Sequence, residues 1–381
     1  MKFLVLGSGL MGSALAFDLA RSKGVEVVTL ADQDLHRADE AAARIRSNKV
    51  RPTSIDVDFF DDVVSLMQGH DCAVGAVSYR FNHHLSKAAI EAGVHFCDLG
   101  GNDEVVQRQI ALDALAKKQG VSIIPNCGLA PGLANILAAR GAEQFDSVDS
   151  IHMRVGGLPQ HPAPPLNYQL VFSVEGLINE YSGKSVVIRD RNIAEVDTMT
   201  EVEAIAFEPP FEKLEAFHTS GGTSMLPRMF EHKVDSLDYK TIRYPGHCER
   251  FKTLLDLGFA SAEPLSFGSN VLTEKEVFFE LLKRKLPFTG PDVVLLRVVV
   301  SGKKQDRNHT LTYNLVDFQD ESNNITSMMR TTSYPTSVIA QLLAQNKIQQ
   351  RGVSTPEQCV PLEPFLTEVR NRGIDIKEQW E

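Results

Sequence analysis

Short apolar runs alternate with segments of helical periodicity over the first third of the chain. The apolar runs predict strands at Lys2–Leu6, Val25–Leu30, Ser54–Val57, Cys72–Val77, Val94–Leu99 and Val121–Pro125. The segments between them predict helices at Met11–Lys23, Leu35–Arg46, Asp61–Met67, Phe81–Ala92 and Ala111–Gln119. Strands that alternate with helices in this way are typical of parallel βαβ units. This region therefore predicts an α/β fold with a doubly wound parallel sheet, covered by helices on both faces.

The pattern changes near residue 150, where strand-like runs follow one another without regular helices between them. These runs are Ile151–Val155, Val186–Ile188, Val234–Ile242, Val293–Val300 and Thr310–Phe318. The last two flank a polar turn at Lys303–Asn308, as expected of antiparallel neighbours. The second region therefore predicts an α+β domain built on a mostly antiparallel or mixed sheet.

The length of the chain, 381 residues, favours two domains, since one domain usually contains about 100–200 residues. We predict a first domain over residues 1–127 and a second over residues 128–334. The remaining residues, 335–381, are predicted to begin with a helix at Pro335 and to pack back on the first domain. We expect the second domain to bind the substrate, to carry the catalytic residues and to form a homodimer or higher homo-oligomer.

Composition excludes several classes of partner. The formal net charge of −10 argues against nucleic acid or an anionic membrane as the main partner. No apolar run approaches the roughly 18–20 residues that span a bilayer. The apolar N-terminus superficially resembles a signal peptide, but Asp18 and Arg21 follow it closely, so export is not expected. The five scattered cysteines form no CxxC pair, which indicates reduced thiols in a cytoplasmic protein.

A glycine motif, GSGLMG, joins the first predicted strand to the first predicted helix. Gly7 permits a tight turn, Gly9 lets the backbone approach a pyrophosphate, and Gly12 allows the helix to pack closely on the strand. The start of this helix, which includes Leu10 and Met11, offers free N–H groups and a positive dipole end to that phosphate. The motif therefore predicts a Rossmann-type dinucleotide-binding domain.

Asp32 lies 20 residues after Gly12, at the end of the second predicted strand. A carboxylate there accepts hydrogen bonds from ribose hydroxyls and repels a 2′-phosphate, so the sequence predicts NAD rather than NADP. The alternative is a glycine-rich turn without a ligand, with Asp32 capping the next helix. Ligands of parallel sheets bind beyond the carboxyl ends of the strands, so we expect Ala76, Val77 and the segment Asp98–Gly101 at the nicotinamide side.

Polar residues outside the glycine motif supply the candidates for catalysis and substrate binding. In the first domain, Tyr79 and Asp98 follow predicted strands. The candidates in the second domain are His218, Thr219, Thr223, Lys240, Arg243 and His247. Adjacent His83 and His84 point about 100° apart on a helix and lack a third ligand at suitable spacing, so no metal site is predicted. The GxSxG elbow of serine hydrolases is absent from the sequence.

Several of these candidates have a plain structural alternative. Asp98 is also suited to capping a loop, and Gly221-Gly222 to forming a simple turn instead of an anion-binding nest. Lys240 is also suited to a solvated strand face. On a strand, Asp238 and Lys240 share one face, whereas Arg243 projects from the other face unless a bulge intervenes.

Longer segments together resemble the saccharopine dehydrogenase-like family. The motifs that carry this resemblance are GSGLMG, SYRFNHHLSKAAIEAGVHFCDLGG and IIPNCGLAPGLANILAARG. A narrower resemblance, to members of the family that act on the lysine side-chain amine, is carried by the segments VGGLPQHPAPPLNYQLVFSVEGLINEY, LEAFHTSGGTSMLP and YKTIRYPGH. One junction departs from the family pattern: it reads NCGLAPGLANI where saccharopine-forming members read close to NEIGLDPGIDH. Cys127, Ala130 and Ala134 therefore stand where acids are usual.

The resemblance implies an NAD-dependent oxidoreductase that acts on CH–NH2 groups in amino-acid metabolism. The missing acids favour a small diamine-type amino acid over the bulky saccharopine. The implied reaction oxidises the side-chain amine of L-lysine to allysine, which cyclises to piperideine-6-carboxylate, and releases ammonia. The alternatives are saccharopine dehydrogenase activity or another amine or imine oxidation within the family. A non-catalytic NAD-binding redox regulator is an alternative of a different class.

This chemistry suggests roles for the candidates. Hydride leaves the side-chain carbon only when the amine is neutral, and the ordinary pKa of a lysine amine is about 10.4. We expect Lys240 or His218 to transfer protons, and Asp98 and Tyr79 to orient the amine. The residues expected to bind the substrate, including its carboxylate, are Arg243, Thr219, Thr223 and His247.

Overall fold

The protein forms two compact units in a computed structural model that describes residues 1–268, 270–288 and 290–381. The first unit comprises Met1–Gln144, Ser224–Leu226 and Met329–Ile376. The second unit comprises Phe145–Thr223, Pro227–Met328 and Lys377–Glu381. Each unit therefore combines segments that are distant in sequence.

Strands and helices alternate over the first 144 residues. The strands are β1 (Lys2–Leu6), β2 (Val27–Asp32), β3 (Val50–Ser54), β4 (Cys72–Gly75), β5 (His95–Asp98) and β6 (Ser122–Ile124). The helices are α1 (Leu10–Arg21), α2 (Leu35–Ile45), α3 (Phe60–Met67), α4 (Asn82–Ala92), α5 (Asp103–Ile110), α6 (Asp113–Gln119) and α7 (Leu133–Ala142). A short 3-10 turn covers Tyr79–Phe81.

Strands predominate between residues 145 and 318. They are β7 (Ser147–Pro159), β8 (Lys184–Arg189), β9 (Asn192–Asp197), β10 (Glu203–Ile205), β11 (Leu214–His218), β12 (Ser236–Arg243), β13 (Pro264–Phe267), β14 (Asn270–Thr273), β15 (Asp292–Lys304) and β16 (Arg307–Phe318). The helices are α8 (Val174–Tyr181), α9 (Leu226–Phe230), α10 (His247–Asp256) and α11 (Glu274–Lys285). The last elements of the chain are α12 (Ser327–Ala344), β17 (Gly352–Val353), α13 (Pro356–Cys359), α14 (Leu362–Asn371) and β18 (Lys377–Trp380).

The first unit is built on a parallel sheet with the strand order β17-β6-β5-β4-β1-β2-β3. Buried aliphatic residues of β1 and β4 pack with those of α3 and α4 in one core cluster. The strand order reverses on either side of β1, and the carboxyl ends of β1 and β4 meet at this switch point. Open parallel sheets bind ligands at such a point.

The second unit is built on a mixed sheet with the main strand order β10-β11-β12-β7-β15-β16-β18. Strands β12 and β7 pair in parallel, whereas β11 with β12, β7 with β15 and β15 with β16 are antiparallel. Gln305 and Asp306, both with positive φ, form the turn between β15 and β16. The predicted fold class, a doubly wound parallel sheet plus an α+β domain with a mixed sheet, is confirmed.

Many element boundaries differ from those predicted by one to four residues, and three larger or more informative differences have a clear physical reason. The third strand covers Val50–Ser54 instead of Ser54–Val57, and it includes Pro52. This strand lies at the sheet edge, where a proline without an N–H is tolerated. The last long helix begins at Ser327 instead of Pro335, because the Asp292 carboxylate accepts hydrogen bonds from the N–H groups of Ser327 (2.6 Å) and Met328 (2.9 Å).

The third difference concerns the end of the first unit, which lies at Gln144 and not at residue 127. Almost every residue of α7 is buried. The Thr336 hydroxyl of α12 donates a hydrogen bond to the Cys127 carbonyl at 2.6 Å, just before α7. Helix α7 therefore completes the core of the first unit.

Every helix in the described part of the chain falls short of the length and apolar character that a bilayer crossing requires.

Candidate functional site

The glycine motif forms a tight strand–turn–helix junction. Gly7 has a φ of +102°, a conformation that L side chains rarely adopt. A Cβ atom added at Gly12 would lie 1.7 Å from the carbonyl oxygen of Gly7, so only glycine allows α1 to pack this closely. A Cβ atom added at Gly9 would meet no atom within 4 Å. The second glycine therefore faces open space, as the approach of a pyrophosphate requires.

The N-terminus of α1 is suited to an anion. Gly9 is the N-cap residue, and the first turn, which contains Leu10 and Met11, has no acidic side chain. The first N–H groups of a helix lack partners within the helix, and they carry the positive end of its dipole. The junction therefore has the geometry and the charge of a phosphate-binding site.

Asp32 ends β2 beside this junction. Its Oδ2 atom accepts hydrogen bonds from the backbone N–H of Ser8 (2.7 Å) and the Ser8 hydroxyl (2.8 Å), and Oδ1 accepts one from the N–H of Asp34 (3.1 Å). Burial raises the pKa of Asp32, but the bonds from Ser8 and Asp34 outweigh it and hold the pKa below its ordinary value. Asp34, and not Asp32, caps α2. The carboxylate of Asp32 is therefore charged and held at the edge of the glycine turn.

The other residues predicted in the first unit lie at the carboxyl edge of the same sheet. A Cβ atom on Gly7 would contact Ala76 at 2.6 Å and Val77 at 3.1 Å, so these two residues adjoin the glycine turn. Tyr79 lies beside Gly101, where an added Cβ atom would be 3.3 Å from its ring. The structure thus brings together the predicted residues of the β1 and β4 strand ends.

Asp98 ends β5 and is fully buried. It accepts hydrogen bonds from Gln109 Nε2 (2.6 Å), the N–H of Gly100 (2.8 Å) and the N–H of Asn126 (3.4 Å). Burial raises the pKa of Asp98 to about 6, and these hydrogen bonds oppose the rise. The following helix, α5, is capped by Asn102. Asp98 therefore accepts hydrogen bonds from the loop that follows β5, from Gln109 of α5 and from the loop that follows β6.

Unpartnered polar atoms mark the same edge of the first sheet. Among the described residues, Ser78 Oγ, Asn82 Oδ1 and Asn126 Oδ1 are buried without a hydrogen-bond partner. Asn126 has a φ of +64°, and its Nδ2 donates to the Ser224 hydroxyl at 3.0 Å. Buried polar groups are normally satisfied, so these atoms indicate groups that a ligand or water satisfies. Ser78 and Asn82 follow β4, whereas Asn126 follows β6, so the fold brings them to the same edge of the sheet.

Strand β12 carries the candidates of the second unit on two opposite faces. Lys240 pairs in register with His218 of β11 and with Arg154 of β7, so these three side chains share one face. Thr241 and Arg243 project from the other face. The predicted arrangement of Asp238 and Lys240 on one side and Arg243 on the other is therefore present.

An ion-pair network occupies the Lys240 face. The Lys240 ammonium donates to Glu203 Oε2 (2.8 Å) and to the Glu201 carbonyl (2.7 Å). Arg154 bonds to both Glu203 and Asp238. Burial raises the pKa of Asp238, but hydrogen bonds and charge from His152 and Arg154 hold it well below its ordinary value.

His218 belongs to the same network and is fully buried. Its Nε2 atom lies 3.1 Å from Glu201 Oε2, and its Nδ1 atom lies 3.2 Å from the Tyr239 carbonyl oxygen. Both ring nitrogens therefore face acceptors within the second unit. Lys240 and His218, the two predicted proton-transfer candidates, therefore lie side by side and both bond to Glu201 of their own unit.

A second polar cluster, on the opposite face, surrounds Arg243. The guanidinium is 2% exposed, and its Nε donates to the Tyr181 hydroxyl at 2.7 Å. His247 Nε2 lies 3.1 Å from the same hydroxyl. The guanidinium also lies over the Tyr168 ring, 4.9 Å from its centroid. Burial alone would lower the pKa of Arg243, but Tyr181, Tyr168 and Glu180 raise it above its ordinary value. We call these five residues the Arg243 cluster.

The two predicted threonines, Thr219 and Thr223, lie in the loop that follows β11. The Thr219 hydroxyl lies 2.8 Å from that of Thr241. Thr223 is buried at the end of the loop that starts at Thr219. The structure therefore brings Arg243 and His247 together at the Tyr181 hydroxyl. Thr219 contacts Thr241 on the same face of β12, whereas Lys240 lies on the other face.

Besides Arg243 and His247, the Arg243 cluster contains Tyr181, Tyr168 and Glu180. The Tyr168 hydroxyl is buried and has no hydrogen-bond partner among the described residues. Glu180 is half-buried, and burial raises its pKa to about 7 against the opposing charge of Arg243. Both lie in the segment VGGLPQHPAPPLNYQLVFSVEGLINEY, which carried the narrower family resemblance. Within the described part of the chain, no group of three or more His, Cys, Asp or Glu side chains is arranged to hold a metal ion.

Comparison with known protein families identifies both halves of the chain. The saccharopine dehydrogenase C-terminal domain matches residues 128–374, and the saccharopine dehydrogenase NADP binding domain matches residues 3–124. Together these matches cover both polar clusters and the glycine motif.

Two relatives illustrate the range of similarity. The saccharopine dehydrogenase (NADP(+), L-glutamate-forming) of Pyricularia oryzae is 25% identical over 289 residues, which are 74% of this chain and 62% of that protein. The carboxyaminopropylagmatine dehydrogenase of Synechocystis is 23% identical over 412 aligned positions, covering 99% of this chain and 97% of that protein. The chain thus spans less than two thirds of the first relative's length.

Two solved structures share the fold. Apo saccharopine dehydrogenase (L-Glu forming) from Saccharomyces cerevisiae has a TM-score of 0.81 at 18% identity, covering 100% of this chain and 99% of that one. The homospermidine synthase of Legionella pneumophila, solved in complex with NAD, has a TM-score of 0.70 at 12% identity, covering 100% and 91%. At these identities the similarity establishes the fold alone.

Proposed function

Because the chain belongs to the saccharopine dehydrogenase family, we propose that it is an NAD-dependent L-lysine 6-dehydrogenase. With NAD as the hydride acceptor and water as the source of the aldehyde oxygen, the reaction would convert the side-chain CH–NH2 group of L-lysine to the aldehyde of allysine and release ammonia. Allysine would then cyclise to piperideine-6-carboxylate. The family predicted from the sequence motifs is confirmed, whereas the lysine-specific activity is our proposal.

The glycine junction and Asp32 support a nicotinamide dinucleotide as the cofactor. The open space at Gly9 and the acid-free start of α1 fit a pyrophosphate. When bound, the nicotinamide would accept the hydride from the substrate carbon. The matching family is named for NADP binding. We nevertheless propose NAD, because the charged Asp32 carboxylate would repel a 2′-phosphate.

The Arg243 cluster is the observation that carries the lysine proposal. Arg154, Lys240 and Arg243 are the buried lysine and arginine side chains among the described residues of the second unit. Arg154 and Lys240 bond to carboxylates of the protein, whereas Arg243 bonds to a phenol and to the Ile242 carbonyl. One buried guanidinium without a protein carboxylate bonded to it suits a substrate with one carboxylate. Lysine has one, whereas saccharopine has three.

The proton transfers of the reaction need groups that release and take up protons near neutral pH. Asp98 is proposed to orient the amine together with Tyr79, and its pKa of about 6 leaves the carboxyl ionised above that pH. Lys240 and His218 are bonded within an ion-pair network on the face opposite Arg243. We therefore propose that these two residues stabilise the second sheet instead of transferring protons.

A second candidate function is the oxidation of a secondary amine. The Synechocystis relative, whose length this chain matches almost completely, is named for a carboxyaminopropylagmatine substrate. A secondary amine carries a substituent on the reacting nitrogen, so this candidate differs from the first in the group that leaves. Release of ammonia therefore separates the two.

The decisive experiment is an assay of NADH formation with lysine, ornithine, saccharopine and glutamate, with ammonia measured in parallel. We expect NADH and ammonia to form in equal amounts with lysine. NADH formation with saccharopine, accompanied by release of glutamate instead of ammonia, would instead identify the L-glutamate-forming saccharopine dehydrogenase activity of the relatives. Binding of NAD without turnover of any amine in the panel would favour the redox regulator.

A further inference from the structure

Exposed large apolar side chains are concentrated in one segment of the second unit. Among the described residues between 257 and 288, they are Leu257, Phe259, Val271, Leu272, Leu281 and Phe288. This segment contains the end of α10, the antiparallel β13–β14 pair and α11. Single exposed apolar residues are ordinary on a protein surface, whereas a group of them indicates an interaction surface.

Helix α11 is anchored in this segment by its inner side. The backbone N–H of Lys275 donates to the Ser261 carbonyl at 3.0 Å, which joins the start of α11 to the loop after α10. The ring centroids of Phe259 and Phe278 lie 5.5 Å apart. Phe278 and Leu282 are the buried residues of α11. The rest of the helix surface is therefore available for contacts outside the unit.

Four residues of α11 form a stripe along its accessible surface. They are Glu274, Val277, Leu281 and Arg284, and we call them the α11 stripe. Their spacings of three, four and three residues align them on one face of a helix. Leu281 is 43% exposed, Arg284 is exposed, and the other two are partly exposed. An acid thus begins the stripe, two aliphatic side chains form its middle, and a base ends it.

The α11 stripe is complementary to itself. When two copies pair with these helices antiparallel, Val277 of each copy faces Leu281 of the other. In the same register, Glu274 of each copy faces Arg284 of the other. A two-fold axis repeats every contact, as in the isologous interface of a homodimer. A parallel pair would instead place like charges together, so the order of charges selects the antiparallel pair.

The charged residues of α11 favour a second copy over a membrane. The helix carries three acidic and four basic side chains, so an anionic lipid surface would attract it only weakly. Arg284 Nε donates to Glu280 Oε1 at 2.7 Å within the helix. Both side chains are exposed, and such a pair contributes little to stability. The guanidinium has further donors, which suit the carboxylate of a second copy.

We propose that the protein forms a homodimer in which the α11 stripes of two copies pack antiparallel. Helix α11 has 12 residues, so it is about 18 Å long. The neighbouring exposed residues Val271, Leu272 and Phe288 extend the interface towards the roughly 1,000 Å² that a specific complex buries. This dimer covers apolar surface that the second unit leaves exposed.

The test measures the molar mass of the full-length protein by light scattering over a range of concentrations. We expect a dimer for the wild type. Glu274→Arg and Arg284→Glu each place like charges opposite one another, so each variant should weaken the dimer by about tenfold or more. The double variant restores opposite charges in the reverse order and should dimerise again. Mixing the two single variants should restore dimers as well, because every facing pair then has opposite charges.

Two further variants separate the stripe from the helix as a whole. Lys283→Glu is the matched control, because Lys283 is exposed and adjoins Arg284 in sequence but points about 100° away from it. It should dimerise as wild type. Leu281→Glu places a charge in the middle of the stripe and should give monomers. Because Leu281 is partly exposed in one copy, this variant should unfold at the temperature of the wild type, and it replaces either reversal variant that does not fold.

Several outcomes would overturn the proposal. A monomeric wild-type protein would refute it, and a dimer that persists in Leu281→Glu would place the interface elsewhere. Failure of both the double variant and the mixture to dimerise would refute the antiparallel pairing. Equal loss of dimer in Lys283→Glu would mean that the stripe is not the interface. A monomer that sediments with phosphatidylserine vesicles, and loses this binding in Leu281→Glu, would identify a membrane as the partner instead.

Discussion

Lys240 and Arg243 lie three residues apart on β12, and their side chains project from opposite faces of the second sheet. Lys240 donates to Glu203 and to the Glu201 carbonyl, whereas Arg243 donates to the Tyr181 hydroxyl. Neighbours in sequence are thereby divided between two clusters with separate partners. The division predicts that substitutions at the two positions have different consequences.

We expect Lys240→Met to reduce stability and to leave kcat for lysine near wild type. The substitution removes one partner of Glu203, which keeps Arg154 and is partly exposed, so the loss should be about 1–3 kcal/mol. Denaturant unfolding and steady-state kinetics measure the two effects, with exposed Lys213→Met as the control. A hundredfold fall in kcat without loss of stability would instead show that Lys240 is the general base.

Arg243→Met should impair binding of the substrate carboxylate. Loss of a charged hydrogen-bonding partner should raise KM for lysine by roughly 10- to 150-fold. Turnover of 1,5-diaminopentane, which has no carboxylate, should change little. The exposed Arg284→Met of α11 provides the control. Equal losses with lysine and 1,5-diaminopentane would show that Arg243 supports the fold of its cluster instead of binding a carboxylate.

Asp32→Asn should narrow the preference for NAD over NADP by about tenfold or more, since like charges repel at short range. The amide keeps an oxygen that accepts from Ser8 but removes the negative charge. Initial rates with each cofactor give the ratio of kcat/KM values. Asp39→Asn, an exposed change on α2, should leave the ratio unchanged. Equal efficiency of the wild-type protein with both cofactors would refute the prediction.

Asp98 should make the stability of the first unit depend on pH. Its pKa in the folded state is about 6, above the ordinary value of 3.8, so the folded state holds the proton more tightly between these values. Stability should therefore fall as pH rises through this interval and remain lower above it. Asp98→Asn should flatten this slope in thermal melts. Asp292→Asn is the comparison, because Asp292 also has a pKa of about 6 but belongs to the second unit. An unchanged slope in Asp98→Asn would contradict the prediction.

Local patterns predicted much of the fold. The strand Lys2–Leu6 has the predicted bounds, because its apolar run and the following glycine turn are both local signals. Strand β7 continues to Pro159, through Gly156 and Gly157, whereas its predicted end was Val155. A Cβ atom on Gly156 would lie 2.4 Å from the Ile242 carbonyl oxygen. This glycine therefore serves a close approach of β7 to β12, which the local sequence does not reveal.

The ion-pair network around Lys240 and the Arg243 cluster were also predicted only in part. Strand periodicity separated Lys240 from Arg243, but it did not indicate that the separation divides a network of ion pairs from a buried guanidinium. Tyr181 and Glu180 were not chosen from the sequence, since their place in the cluster depends on the packing of α8 against β12. Such contacts form between segments far apart in the chain, and no local pattern encodes them.

The discontinuous composition of the first unit has a consequence for the order of folding during translation. Asp18 is buried in α1, where it bonds to the Ser337 hydroxyl of α12 (2.6 Å) and to Arg372 Nε (2.8 Å). A nascent chain that has emerged only as far as α7 exposes Asp18 without its counter-ion, and its parallel sheet lacks the β17 edge. We expect the N-terminal segment to remain sensitive to protease on stalled ribosomes until Arg372 has left the exit tunnel.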